Sequence, residues 1–197
     1  MSEFTTAAVE NLESACRENL AAIAESLTRN LGDETQLELG ESRTFDSDQI
    51  PAEFDGPGVI VVVEVGGRGI ACLIPAEFPL PDWYLTPTDT QSSCLQTVAM
   101  EWAFGMLPED LEAERTETVA VENLKTAILE AKPASDATVV ELLKVTSEES
   151  SGESDDDAEA DEKTGPRIWV IAPIEKLPAL ADSAPAESDS TADTKEQ

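Results

Sequence analysis

The second half of this chain repeats the pattern of the first, and that repeat limits the folds open to it. The segment RGIACLIPAEFPL, from Arg68 to Leu80, is echoed by RIWVIAPIEKLPAL, from Arg167 to Leu180. An apolar run ends at Pro75 in one copy and at Pro173 in the other. Glu77 and Glu175 follow two residues later, and then Pro79 and Pro178. Upstream, GVIVVVEV (Gly58 to Val65) matches TVVELLKV (Thr138 to Val145). Short β-branched runs of this kind read as buried strands. Gly66-Gly67 supplies a tight hairpin turn in the first copy. In the second, the acidic residues 147–162 join the corresponding strands.

Each copy also opens with a long amphipathic stretch. Val9, Leu12, Cys16, Leu20, Ile23, Leu27 and Leu31 recur at steps of three and four, so residues 6–31 predict one helix with a single apolar face. Gly32 suits its C-cap. In the second copy Asp89 or Thr90 caps a helix over residues 90–107. Its apolar positions are Leu95, Val98, Ala99, Trp102, Met106 and Leu107, and Pro108 lies beyond. Gln36 to Leu39 and Thr118 to Val121 predict short strands, and Leu124 to Ala131 fits helix or strand. Residues 76–88 hold Pro79, Pro81 and Pro87 with Trp83 and Tyr84, the pattern of an irregular linker packed on the core by its aromatics.

One helix over a three-stranded sheet leaves sheet edges and one face uncovered. Two such units side by side can share one continuous sheet. The expected fold is therefore α+β, with pseudo-two-fold, duplicated helix–strand–hairpin units forming one sheet flanked by long helices. Residues 1–178 form the expected domain. An acidic loop at about 147–164 and a tail at 179–197 are too polar to bury enough surface to offset their ordering entropy, and both are expected to be disordered.

Composition narrows the chemistry. The chain has no histidine, which excludes Ser-His-Asp and Cys-His catalysis and imidazole metal sites. Cys16, Cys72 and Cys94 are widely separated and odd in number, so they form neither a disulfide framework nor a zinc motif and read as buried apolar residues. With 42 acidic and 12 basic residues the formal net charge is -30. Phosphate backbones and anionic membranes repel such a chain, whereas a basic protein surface attracts it. No apolar run approaches the ~20 residues of a membrane span, and Glu3 and Glu10 interrupt an N-terminal stretch that has no cationic start, so no signal peptide is expected. A cytoplasmic protein without nucleic-acid binding or membrane insertion is expected. Counting from Asp155, the sixth residue is Ala160 where a calcium loop needs glycine. Gly66, Gly67 and Gly69 lie in a hairpin, so no phosphate loop is expected. No cofactor or metal follows from the sequence.

The order of elements and the repeat resemble the CheC-like family of bacterial chemotaxis and flagellar proteins. It includes the CheC and CheX phosphatases and the middle domain of the flagellar switch protein FliM. The resemblance covers residues 6 to about 178. It implies two pseudo-symmetric halves, each with a long helix beside a shared sheet. Phosphatase members carry an acidic or serine residue, then Glu four later and Asn three after that, on each long helix. Ser14 and Glu18 fit on the first helix, but Ala21 stands at the Asn position. Thr97 and Glu101 fit on the second, but Phe104 stands there. The resemblance thus implies the binding branch without the phosphatase chemistry: no catalytic residues, with Glu18 and Glu101 as partner-facing candidates. The expected partner is a protein, either a response regulator or a motor or signalling component, and the oligomeric state stays open. Two alternatives remain at this point. One is an acidic chaperone or adaptor of the secretion type; the other is a degenerate response-regulator phosphatase working through Glu18 or Glu101.

Overall fold

The structure is a computed structural model that describes residues 11–107, 112–145 and 165–175. The acidic loop, the tail and the first five residues of the expected opening helix lie outside the described residues. Helix α1 spans Leu12–Leu31 and ends at Gly32, whose φ of 90° needs no Cβ. Strand β1 (Leu37–Thr44) follows, longer than the four residues its weak alternation suggested. Two short 3-10 turns, Ser47–Gln49 and Ala52–Phe54, lead to the hairpin of β2 (Gly58–Val65) and β3 (Arg68–Pro75). Helix α2 spans Asp89–Met106 and starts earlier than expected. Thr88 is its N-cap and donates its N–H to Gln91 Oε1 at 2.9 Å. Then come β4 (Arg115–Val121), α3 (Leu124–Ala131), β5 (Pro133–Lys144) and β6 (Arg167–Ile174). The ambiguous segment is thus a helix, capped by Asn123 Oδ1 accepting from the Thr126 N–H at 2.8 Å. Strand β6 runs one residue past Pro173 instead of stopping there.

The fold is α+β with one six-stranded sheet in the order β1-β5-β6-β3-β2-β4, every pair antiparallel. The two hairpins meet at the centre through β3 and β6. Ala71 faces Ile171, Cys72 faces Val170 and Leu73 faces Trp169. A step of 98 residues, the separation of Pro75 and Pro173, turns Ala71 into Trp169, Cys72 into Val170 and Leu73 into Ile171. The step therefore exchanges the outer two pairs and returns the middle one to itself. An approximate dyad passes through the Cys72–Val170 pair.

The first strands do not stay with their own hairpins. Strand β1 pairs with β5 of the second half, and β4 pairs with β2 of the first. The units are interlocked instead of lying side by side. The pairing also corrects the sequence match by one residue. Val61 faces Cys72, and Val140 faces Val170, so Val61 corresponds to Val140 and Gly58–Val65 to residues 137–144. A one-residue slip in a strand exchanges its two faces. Val61 and Val140 accordingly share one core with the long helices, while Glu141 faces the other side.

That sidedness gives three layers. On one face α1 and α2 pack their stripes, including Cys16, Ile23, Leu27, Val98, Trp102 and Met106, against alternate residues of the central strands. On the other, α3 and the 3-10 turns cover Ile60, Leu73, Val139, Trp169 and Ile171 with Phe54, Leu124 and Ile128. Tyr84 of the linker is buried as expected, Trp83 is only half-buried, and Phe78, which the sequence pattern did not single out, is buried as well. The edge strand β4 is tied to α2. Gln96 Nε2 donates to the Thr116 carbonyl at 2.7 Å, and the Thr118 hydroxyl donates to the Leu95 carbonyl at 2.8 Å.

Among the described residues, the second face holds one buried carboxylate. Glu141, 4% exposed, accepts from Trp169 Nε1 at 3.1 Å, from Arg43 at 3.2 Å and from Arg167 at 3.4 Å. Arg167 also forms an ion pair with Glu53 at 3.0 Å. Burial raises the Glu53 carboxyl above its usual range against the pull of Arg167. The dyad-related positions are Val62 for Glu141, Val119 for Arg43 and Ala71 for Trp169, so the ionic cluster exists on one side of the dyad only.

Two predictions follow from this pairing. Residues 1–87 produced alone should lack a cooperative unfolding transition by circular dichroism and should recover one when co-produced with residues 88–197. A cooperatively folded first fragment would show that strand exchange is dispensable. Glu141→Ala removes the acceptor of Trp169 Nε1 and the carboxylate partner of Arg43, leaves Arg167 with Glu53 alone, and should cost about 3 kcal/mol in urea unfolding.

Candidate interaction surface

Among the described residues, the most exposed large apolar side chain is Phe104, on the second of the two long helices. Helices α1 and α2 pack side by side, and Gly105 lets them approach closely: a Cβ there would lie 3.3 Å from Asn19 Cβ. Asn19 Nδ2 donates to the carbonyls of Gly105 at 2.8 Å and Ala15 at 3.0 Å. Farther along α1, Arg29 and Asn30 reach back to Glu101, at 2.7 Å and 3.3 Å, so the contacts run in opposite directions along the two helices. Arg29 also holds Glu25 at 2.9 Å. Exposed pairs of this type orient side chains more than they stabilise the fold.

The two candidate carboxylates have different surroundings. Glu18 is exposed and accepts from the Ser14 hydroxyl at 3.3 Å. Glu101 is half-buried and fixed at the seam by Arg29 and Asn30. The structure joins them through no common partner. Ala21, at the position where the resemblance places an amide, is exposed. Phe104, at the other such position, is 85% exposed, and Met100 one turn before it is 50% exposed. Sequence reasoning placed neither on the apolar stripe but drew no conclusion from that. The signal was present, because at about 100° per residue Phe104 lies about 160° from both Trp102 and Met106.

Other chemistry is sparse. No three His, Cys, Asp or Glu side chains group to hold a metal ion among the described residues. Among those residues, too, no helix is long and apolar enough to cross a membrane. Cys16 and Cys72 are buried and Cys94 is half-buried. Burial, reinforced by Glu13, pushes the Cys16 thiol up to about 12. Burial also raises Cys72, whose Sγ lies 3.6 Å from Met106 Sδ. Neither thiol is poised as a nucleophile.

No family model and no curated protein matches the chain. Among solved structures it is similar to a chain of the FliG–FliM complex from H. pylori, with a TM-score of 0.48 and 7% identity over 86% of this chain and 94% of that one. It is likewise similar to a chain of the FliM–SpeE complex from H. pylori, with a TM-score of 0.47 and 10% identity over 87% and 90%. Thermotoga maritima FliY matches with a TM-score of 0.44 and 9% identity over 87% and 92%.

The thiol environments yield a simple test. In the folded protein a maleimide should label Cys94 alone within minutes, and all three cysteines should react after denaturation. Equally fast native labelling of Cys16 would contradict the burial described above.

Proposed function

We propose that this chain is a non-catalytic protein-interaction module of chemotaxis, flagellar or two-component signalling. It works in the cytoplasm and binds a response regulator or a switch component. The observation that carries this reading is the pair of long helices on one face of a dyad-related sheet, with Ala21 and Phe104 where the resemblance places water-positioning amides. An alanine methyl and a phenyl ring cannot orient a water for attack on a phosphoryl group, since neither offers a hydrogen-bonding atom. The element order that resembles the CheC-like family supports the same reading. So does the strong negative charge, which favours a basic protein surface over nucleic acid. Glu18 and Glu101 serve as partner-facing carboxylates, the first exposed beside Ser14 and the second held at the seam.

A phosphorylated receiver domain tests this directly. Added chain should leave the rate of phosphoryl loss unchanged, while Glu18→Ala and Glu101→Ala should weaken capture of the partner from the native cytoplasm several-fold. Accelerated dephosphorylation that disappears in Glu18→Ala or Glu101→Ala would falsify the non-catalytic reading and leave a phosphatase in its place.

A further inference from the structure

We propose that the outward stripe of α2, formed by Ser93, Thr97, Met100 and Phe104, is a docking ridge. It inserts into an apolar groove, rimmed by lysine and arginine side chains, on a different protein. This rests on the reading that the chain acts by binding a protein, and it names the surface and the chemistry of the partner.

The four positions are spaced four, three and four residues apart, so they line one side of the helix. That side is opposite the buried one, which carries Leu95, Val98, Ala99, Trp102, Ala103 and Met106. The stripe has no formal charge in a chain in which 27% of residues are charged. Its hydroxyls are turned back onto the helix, Ser93 donating to the Asp89 carbonyl at 3.0 Å and Thr97 to the Ser93 carbonyl at 2.8 Å. What the ridge offers outward is therefore the thioether of Met100 and the ring of Phe104. Presented on a rigid helix, such a pair suits the helix-in-groove mode of recognition, with aromatic and methionine anchors filling pockets.

Charge decides the occupant. At the seam beside the ridge Glu101 and Glu25 share the guanidinium of Arg29, and the whole chain carries -30. A second copy would bring two such surfaces together and set like charges against each other. A groove with a basic rim relieves that repulsion and steers the encounter, so association should slow as salt screens it.

The test places a photo-crosslinking amino acid at position 104 of the full chain in its native cells and identifies the crosslinked peptide by mass spectrometry. The protein so identified is then purified and titrated against wild type, Phe104→Asp, the milder Phe104→Ser, and Leu129→Asp. Leu129 is an exposed apolar residue of α3, which packs on the other face of the sheet, and is the control. The expected result is a crosslink into an apolar segment flanked by lysine or arginine. Phe104→Asp and Phe104→Ser should lose at least ~10-fold in affinity with unchanged melting curves, and Leu129→Asp should bind as wild type. A crosslink into another copy of this chain, or into its own residues 1–10, overturns the proposal. So does undiminished binding by both Phe104 variants. In that last case the interaction reading survives and only the ridge falls. A wild-type chain that captures no protein from the native cytoplasm removes both.

Discussion

Backbone pairing across the two halves is the constraint on which the rest of this structure depends. Each half makes a hairpin, but the strand that precedes it is hydrogen-bonded to the hairpin of the other half. Neither half can therefore complete its sheet alone, and the β3–β6 seam adds a third set of cross-half hydrogen bonds at the dyad. The pairs that hold the fold together are far apart in sequence. Their loop-closure entropy must be met before they return any stability. The buried aliphatic faces on both sides of the central strands offset that cost.

The dyad does not extend to the chemistry of the two faces. Where one side of the dyad has Val62, Val119 and Ala71, the other has Glu141, Arg43 and Trp169. A buried carboxylate held by two guanidinium groups and an indole is costly if any partner is misplaced. Arg43 belongs to the exchanged strand β1, so the cluster penalises a slipped register between β1 and β5 more than apolar contacts would. The bulge between Leu39 and Ser42 lies on the same strand, and bulges fix registers as well as bend strands.

The helices show a similar division of labour. Their inner stripes form the larger core, and Gly105 with Asn19 sets their close approach. Their outer surfaces differ. On α1 the exposed positions include Arg17, Glu18 and Arg29; on α2 they include Met100 and Phe104. Such outer positions can differ between the two helices, because the core places no demand on them. The strands have no such freedom, because the sheet is covered on both faces.

The sequence by itself determined the elements, the duplication and the sidedness of the helices. Runs such as Val59 to Val63 have one comfortable environment, and the spacing of Cys16, Leu20, Ile23 and Leu27 fixes which side of α1 is buried. Only the tertiary structure decided which strand pairs with which. Hydrophobic strands are interchangeable partners as far as local pattern goes, so the exchange of β1 and β4 had no local signature. The face on which Glu141 lies depended on a register that sequence matching placed one residue off. The prominence of Phe104 likewise became visible only when Trp102 and Met106 were seen to turn into the core, which leaves the ring between them pointing at solvent.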